Sequence, residues 1–180
     1  MNDLIAVVLA GGAGKRFWPL SMNKVLFPFF GKPFIDFSVR DIMPRDVGKV
    51  VLVGSRENVD ALKPLSFAAP TTVVTQSSPL GMADALLAAS SQLGNARLLI
   101  LIADDLVDKT LIENVMQRAK SSDAFGVLGG WKTPKYFPGG YLVLKGNKVV
   151  SIKEKPGEGN EPSPYVNISG HYIAASDVLL

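Results

Sequence analysis

The sequence predicts an α/β fold: a mainly parallel, doubly wound sheet with a small antiparallel hairpin region in its last third. Three observations predict it. Short, unbroken apolar runs recur through the first two-thirds of the chain, as strands buried on both faces require. Segments with helical character stand between them, and strand–helix alternation builds a parallel sheet covered on both sides. The last third then changes to apolar–polar alternation around Gly146-Asn147, a hairpin signal.

The elements follow in order. Leu4 to Ala10 is continuously apolar and reads as the first buried strand. Phe34 to Ile42 reads as a short helix that must stop before Pro44, because the residue preceding proline is driven out of the helical region. Lys49 to Val53 is the second buried strand, and the β-branched run Thr71 to Thr75 is the third. Gly81 to Leu93, rich in Ala and Leu, is a helix stopped by Gly94. Arg97 to Ile102 is the fourth strand, Asp108 to Lys120 a more polar helix, and Ala124 to Leu128 the fifth strand. Tyr141 to Leu144 and Val149 to Lys153 form the hairpin, Gly157 to Pro164 is a polar loop, and Tyr165 to Ala174 reads as one more strand. The whole, residues 1–180, is taken as a single domain. Its apolar, helix-like end, Asp177-Val178-Leu179-Leu180, raises the expectation that the chain is a piece of a longer protein.

Bulk composition narrows the function classes. A chain that is 47% hydrophobic can bury enough surface to offset its ordering entropy. The formal charge of +3 is mild, and Lys and Arg are scattered without the run that marks a nucleic-acid face. That balance suits either a small anionic ligand or solubility alone. With no cysteine, disulfide frameworks and thiolate metal sites are excluded. A cytoplasmic location is expected. The opening apolar run breaks at Gly11, too early to span a bilayer, so neither membrane nor nucleic acid is an expected partner. Homo-oligomerisation is left open.

In doubly wound sheets ligands gather beyond the carboxyl ends of the strands. Here those ends carry Gly11–Gly14 and Ala103–Asp105, which should face one crevice. The first set lies in LAGGAGKRFWPLS, Leu9 to Ser21, with three glycines in four residues followed by Lys15 and Arg16. Glycines let backbone N–H groups approach a phosphate closely, and the two cations can neutralise it. The alternative is a glycine-rich turn with two solvated cations. Two common phosphate loops are ruled out: Phe17 stands where a dinucleotide fingerprint needs glycine, and Leu9 and Arg16 stand where a Walker loop needs Gly and Ser or Thr.

The stretch LAGGAGKRFWPLS…KVLFPFFGKPFID resembles the signature of the sugar-phosphate nucleotidyltransferase family. Its Phe17-Trp18-Pro19-Leu20-Ser21 wording is most similar to mannose-1-phosphate guanylyltransferases. The resemblance implies a Rossmann-like, nucleotide-diphospho-sugar transferase type of fold. It also implies nucleotide contacts at Leu9, Ala10, Gly11, Gly12, Gly14 and Lys15, with Arg16 gripping the triphosphate. Lys24 matches the family lysine that steers phosphates, although only Met22 and Asn23 separate it from Ser21, a shorter spacing than the family's. Read without the resemblance, Lys24 is equally an exposed cation.

The later motifs follow the same family order. Gln76-Ser77-Ser78-Pro79-Leu80-Gly81 resembles a loop that brings Gln76 to the base and opens a helix at Gly81, though it also reads as a plain turn. Asp104 falls at the family's metal-binding aspartate, implying Mg2+; the competing role is a helix N-cap. Gly140, Glu154 and Asn167 match sugar contacts, and Lys155 the residue that holds the sugar phosphate, where Lys153-Glu154-Lys155 also reads as a solvated strand edge. His171, the one histidine, reads as a satisfied strand residue rather than a catalyst.

The implied reaction joins a sugar 1-phosphate to the nucleoside monophosphate of a triphosphate, giving a nucleotide sugar (GDP-mannose by the first motif) and pyrophosphate. Two alternatives stand beside it: a non-catalytic nucleotide-sugar-binding regulatory subunit of the same fold, and a molybdenum-cofactor-type guanylyltransferase. The family's second metal-binding aspartate falls past residue 180, so weak nucleotide binding and slow or no turnover by this length of chain are further expectations.

Overall fold

The computed structural model describes residues 3–12, 23–78 and 80–174. The chain divides into two compact units, one made of the residues up to Val127 and from Gly170 onward, the other of Leu128–Ser169.

The first unit is built on a six-stranded sheet. Its strands are β1 (Leu4–Leu9), β4 (Lys49–Ser55), β5 (Thr71–Gln76), β6 (Arg97–Ile102), β7 (Gly126–Val127) and β12 (His171–Ile173), in the order β5-β4-β1-β6-β12-β7. The neighbouring pairs β5–β4, β4–β1 and β1–β6 are all parallel, as the apolar runs predict. β12 enters antiparallel to both β6 and β7, which leaves β7 running with the first four strands.

Side chains alternate across such strands, so one run feeds two cores. Leu4, Ala6, Val8, Val50, Leu52, Leu99 and Leu101 face one side. There they meet Ile112, Val115 and Met116 of α3 (Lys109–Lys120), at helical spacing, and Ile35 and Val39 of the helical segment expected over Phe34 to Ile42. Ile5, Val7, Val51, Val53, Leu98 and Ile100 face the other side, covered by Ala85, Leu86 and Ala89 of α2 (Met82–Ala89). The doubly wound architecture is thereby in place.

Local details depart from the sequence reading in physically readable ways. The helix expected over Phe34 to Ile42 is present, but Asp36–Arg40 adopts π geometry. The helix from Gly81 ends in a 3₁₀ turn, Ser90–Gln92, with Gly94 at φ 55° as the stop signal requires. The strand expected at Ala124 to Leu128 is only the pair Gly126–Val127. Tyr165 to Ala174 is not one strand but two, β11 (Tyr165–Asn167) in the second unit and β12 in the first. Gly170 divides them at φ 89°, a backbone value a strand cannot continue through. Short elements that the sequence reading leaves out are the β2 (Pro28–Phe29) and β3 (Lys32–Pro33) hairpin, α1 (Val59–Leu62) and β8 (Gly130–Lys132).

The second unit is an antiparallel sheet in the order β10-β9-β11-β8, with β8 at Gly130–Lys132, β9 at Gly140–Lys145 and β10 at Lys148–Glu154. The predicted hairpin is β9–β10, turning at Gly146 with φ 59° and carrying a bulge between Val149 and Ser151.

Candidate active site

The carboxyl ends of β1, β4, β5 and β6 lie side by side, and each contributes a polar feature to the same edge. β1 ends at Leu9, whose carbonyl accepts from Ala103 N–H at 3.0 Å, while Ala10 N–H donates to Val53 at 2.8 Å. The start of the glycine turn is therefore fixed on both sides. A Cβ placed on Gly11 would stand 3.1 Å from Ser55 N and 3.3 Å from Gln76 Oε1, so only glycine passes there without displacing a neighbour. At Gly12 a Cβ would stand 3.3 Å from Lys24 Nζ.

Lys24 closes the constellation. It opens a 3₁₀ turn, Lys24–Leu26, capped by the Asn23 side chain accepting from Val25 N–H at 3.1 Å. From there its ammonium forms an ion pair with the Asp104 carboxylate. Lys24 thus stands between the glycine turn and the aspartate, despite the shortened spacing after Ser21. The N-cap alternative for Asp104 does not hold, because Asp108 takes that role for α3: its carboxylate accepts from Thr110 N–H at 2.7 Å, and the Thr110 side-chain hydrogen bond, the largest cause, holds its pKa below the usual carboxylate value.

Gln76, the last residue of β5, is buried at 7% exposure. Its amide nitrogen donates to Gly81 O at 3.0 Å and to Asp84 Oδ2 at 2.7 Å, and its oxygen faces Gly11. Gly81 precedes α2 with φ 104°. Leu9, Ala10, Gly11, Gly12, Lys24, Gln76, Gly81 and Asp104 are thus found at one edge of the sheet. Gly14, Lys15 and Arg16 lie outside the described residues.

Two residues that support this edge were not singled out in the sequence. Asn58, buried, donates from Nδ2 to Ala10 O at 2.7 Å and accepts from Ser55 N–H at 2.8 Å, tying the end of β1 to the end of β4. Ser38, buried in the π-helical segment, donates to Ala103 O at 2.6 Å and so anchors the residue before Asp104. Neither carries a sequence signal of its own: Ser38 stands among the polar residues Asp36, Arg40 and Asp41, and Asn58 follows the equally polar Arg56 and Glu57.

In the second unit Gly140 and Glu154 are cross-strand partners. A Cβ on Gly140 would lie 3.0 Å from Glu154 Oε2, so the carboxylate rests over bare backbone. Lys155 follows with φ 40°, a left-handed value for a residue with a side chain, its N–H donating to Gly139 O at 3.0 Å and its ammonium 3.9 Å from Glu154. Val166 pairs with Tyr141, and the antiparallel register carries Asn167 to the level of Gly140. The Asn167 Oδ1 atom is buried with no hydrogen-bond donor among the described residues. All four sugar-motif residues therefore lie together within this unit.

The family model described as "Nucleotidyl transferase" matches residues 5–180. The chain belongs to that family. Among curated relatives, a glucose-1-phosphate thymidylyltransferase of Streptomyces griseus is 32% identical over 158 residues, covering 84% of this chain and 44% of its own length. A protein named as a candidate mannose-1-phosphate guanyltransferase of Sulfolobus acidocaldarius is 26% identical over 181 residues, covering 97% and 49%. The chain spans about half the length of the curated relatives it matches. A solved UDP-glucose pyrophosphorylase from Acinetobacter baumannii shares the fold at a TM-score of 0.79 and 22% identity, over 97% of this chain and 75% of that one. The relatives' names differ in base and in sugar, so family membership does not fix either.

The family's divalent cation can be tested against the residues present. Among the described residues no three His, Cys, Asp or Glu side chains cluster as a closed metal cage. Mg2+ does not need one: it keeps its waters and takes one or two carboxylates plus substrate phosphates. Asp104, 35% exposed at its side chain and already drawing one cation, fits that donor set. Among the described residues no helix is long and apolar enough to cross a membrane.

Proposed function

We propose that this chain is the nucleotide- and sugar-handling part of a sugar-1-phosphate nucleotidyltransferase. It would transfer a nucleoside monophosphate from a triphosphate to a sugar 1-phosphate and release pyrophosphate. The observation that carries the reading is the convergence of Gly12, Lys24 and Asp104: an ammonium that stands beside a bare backbone turn and pairs with a carboxylate at the ligand-binding edge of a doubly wound sheet.

A phosphate oxygen of the sugar phosphate attacks the α-phosphorus. The bond to the bridging oxygen breaks, and pyrophosphate leaves with the electron pair. The attacking oxygen is already anionic, so no general base is needed, and catalysis reduces to alignment and charge neutralisation. Gly11 and Gly12 would lie against the phosphates, Arg16 would grip the triphosphate, and Lys24 would offset the repulsion between two anionic substrates. Asp104 would hold Mg2+, which when bound neutralises charge on the triphosphate. In the second unit Lys155 would hold the sugar phosphate. Glu154 would accept from sugar hydroxyls, as would the donor-less carbonyl oxygen of Asn167. The Phe17-to-Ser21 wording favours guanine and mannose.

One observation favours a second reading, a non-catalytic regulatory subunit: only Met22 and Asn23 separate Ser21 from Lys24, a shorter spacing than the family's. Pyrophosphate release by the full-length protein with Mg2+, across a panel of nucleoside triphosphates and sugar 1-phosphates, separates the two. Release with at least one pair supports the enzyme. Nucleotide binding without release under every pairing supports the regulatory subunit and overturns the enzyme.

A further inference from the structure

We propose that Asp84 decides which bases the site accepts. By locking Gln76 as a hydrogen-bond acceptor, it selects triphosphates whose base carries a ring N–H on its pairing edge (guanine, uracil or thymine) over adenine and cytosine. The inference rests on the reading above, in which Gln76 meets the base.

The argument is one of donor and acceptor inventory. A glutamine amide can present either its oxygen or its nitrogen to a ligand, and which one is a matter of its other partners. Here both partners of the far end are acceptors without a proton to give: the Gly81 carbonyl at 3.0 Å and the Asp84 carboxylate at 2.7 Å. Two acceptors demand the NH₂ group, and its two hydrogens are then spent. Turning the amide over would set its oxygen against a carboxylate and a carbonyl, an arrangement of facing lone pairs that costs the hydrogen bonds and adds repulsion. Burial of Gln76 raises that cost, because water cannot compensate. The oxygen consequently points the other way, on the side of Gly11, where a Cβ would stand 3.3 Å from it and only glycine leaves it uncrowded.

The pairing edges of the bases divide cleanly in front of such an oxygen. Guanine N1 and uracil or thymine N3 carry a hydrogen, whereas adenine N1 and cytosine N3 carry a lone pair. UTP and CTP form the sharpest comparison, since they have the same ring size, sugar and charge. Asp84 makes no contact with the base in this scheme. It is a positioning residue that acts through Gln76, and nucleotide rank order is a readout that a purely structural role would leave alone.

The test is equilibrium binding of GTP, UTP, dTTP, ATP and CTP, with Mg2+, to the full chain and to Asp84→Asn. The wild-type chain should bind UTP about tenfold or more tightly than CTP, and GTP similarly over ATP, the loss expected when a hydrogen bond becomes two facing lone pairs. In Asp84→Asn the near-isosteric amide can donate as well as accept, so only the Gly81 carbonyl still holds the Gln76 NH₂ in place, and the UTP:CTP ratio should fall to about threefold or less. Asp84→Ala, which removes the acceptor outright, should compress the ratio in the same direction and serves if the first variant does not fold. Equal binding of all five triphosphates by the wild type, or an unchanged ratio in a folded variant, overturns the inference and leaves the proposed function standing. Binding of none of them overturns both.

Discussion

At the residue scale the site is held by contacts that leave little slack, and its parts can be perturbed separately. Asp104→Asn keeps the shape and removes the charge. The ion pair it breaks is partly exposed at both ends, so stability should change by about 1 kcal/mol or less. Metal-dependent binding should disappear, with nucleotide affinity in Mg2+ falling to the value measured in chelator; an unchanged metal response in titration calorimetry would remove Asp104 from the metal site. Gly11→Ala tests the close approach: neighbours at 3.1 Å and 3.3 Å must yield by a few tenths of an ångström, and the added methyl stands beside the Gln76 oxygen. Nucleotide affinity should drop by about tenfold or more while the thermal midpoint falls by only a few degrees.

His171 belongs to this scale as well. It is buried at 5% exposure, with no partner for either ring nitrogen among the described residues, so its place in a strand was legible in the sequence but its lack of partners was not. Burial holds its pKa below the ordinary value. The native state keeps the ring neutral where the unfolded chain already binds a proton, so stability is full above about pH 6.5 and declines as pH falls from there toward the lowered native value. It is the chain's one histidine, and carboxylates titrate lower. Denaturant melts at about pH 7 and about pH 5.5 should therefore differ in the wild type and differ less in His171→Leu; equal slopes in both would assign the effect elsewhere.

At the element scale, what the sequence showed well was anything made by local pattern. Leu4 to Ala10, Lys49 to Val53 and Arg97 to Ile102 are apolar enough to be buried on both faces, and each is a central parallel strand. What it hid was decided by distant partners. The stretch Tyr165 to Ala174 alternates like one strand, yet its halves pair in different sheets, and β12 slips between β6 and β7 although Arg97 and His171 are far apart in the chain. Gly170 carries the switch: it sits at φ 89°, and a Cβ there would lie 2.6 Å from Ile112 Cδ1 on α3. Gly170→Ala should thus incur both backbone strain and a steric clash, lowering stability by about 2 kcal/mol or more. A chemical melt showing a loss under about 0.5 kcal/mol would mean that the turn relaxes without cost.

At the scale of the whole molecule, one chain carries two sets of motifs in two units. Leu128–Ser169 is inserted between β7 and β12, both strands of the first unit's sheet. The sequence has no low-complexity linker at either border of the insertion, only ordinary residues such as Leu128-Gly129-Gly130. The division was therefore not legible from composition, whereas the order of the motifs was: Gly11, Gln76 and Asp104 come before the insertion, Gly140, Glu154, Lys155 and Asn167 within it. The proposed roles require the two substrates to protect different stretches of backbone. A nucleoside triphosphate with Mg2+ should slow amide hydrogen exchange at residues 9–12, 55–58, 76–84 and 103–105, where Asn58, Gln76 and Ser38 anchor strand ends that a ligand would stiffen. A sugar 1-phosphate alone should slow exchange at 139–141, 154–155 and 167. Exchange slowed by the sugar phosphate only in the first unit would detach the sugar role from Glu154 and Lys155. Because ligand binding raises the free energy of opening only for segments that must open to release it, this map assigns each motif its substrate without requiring turnover.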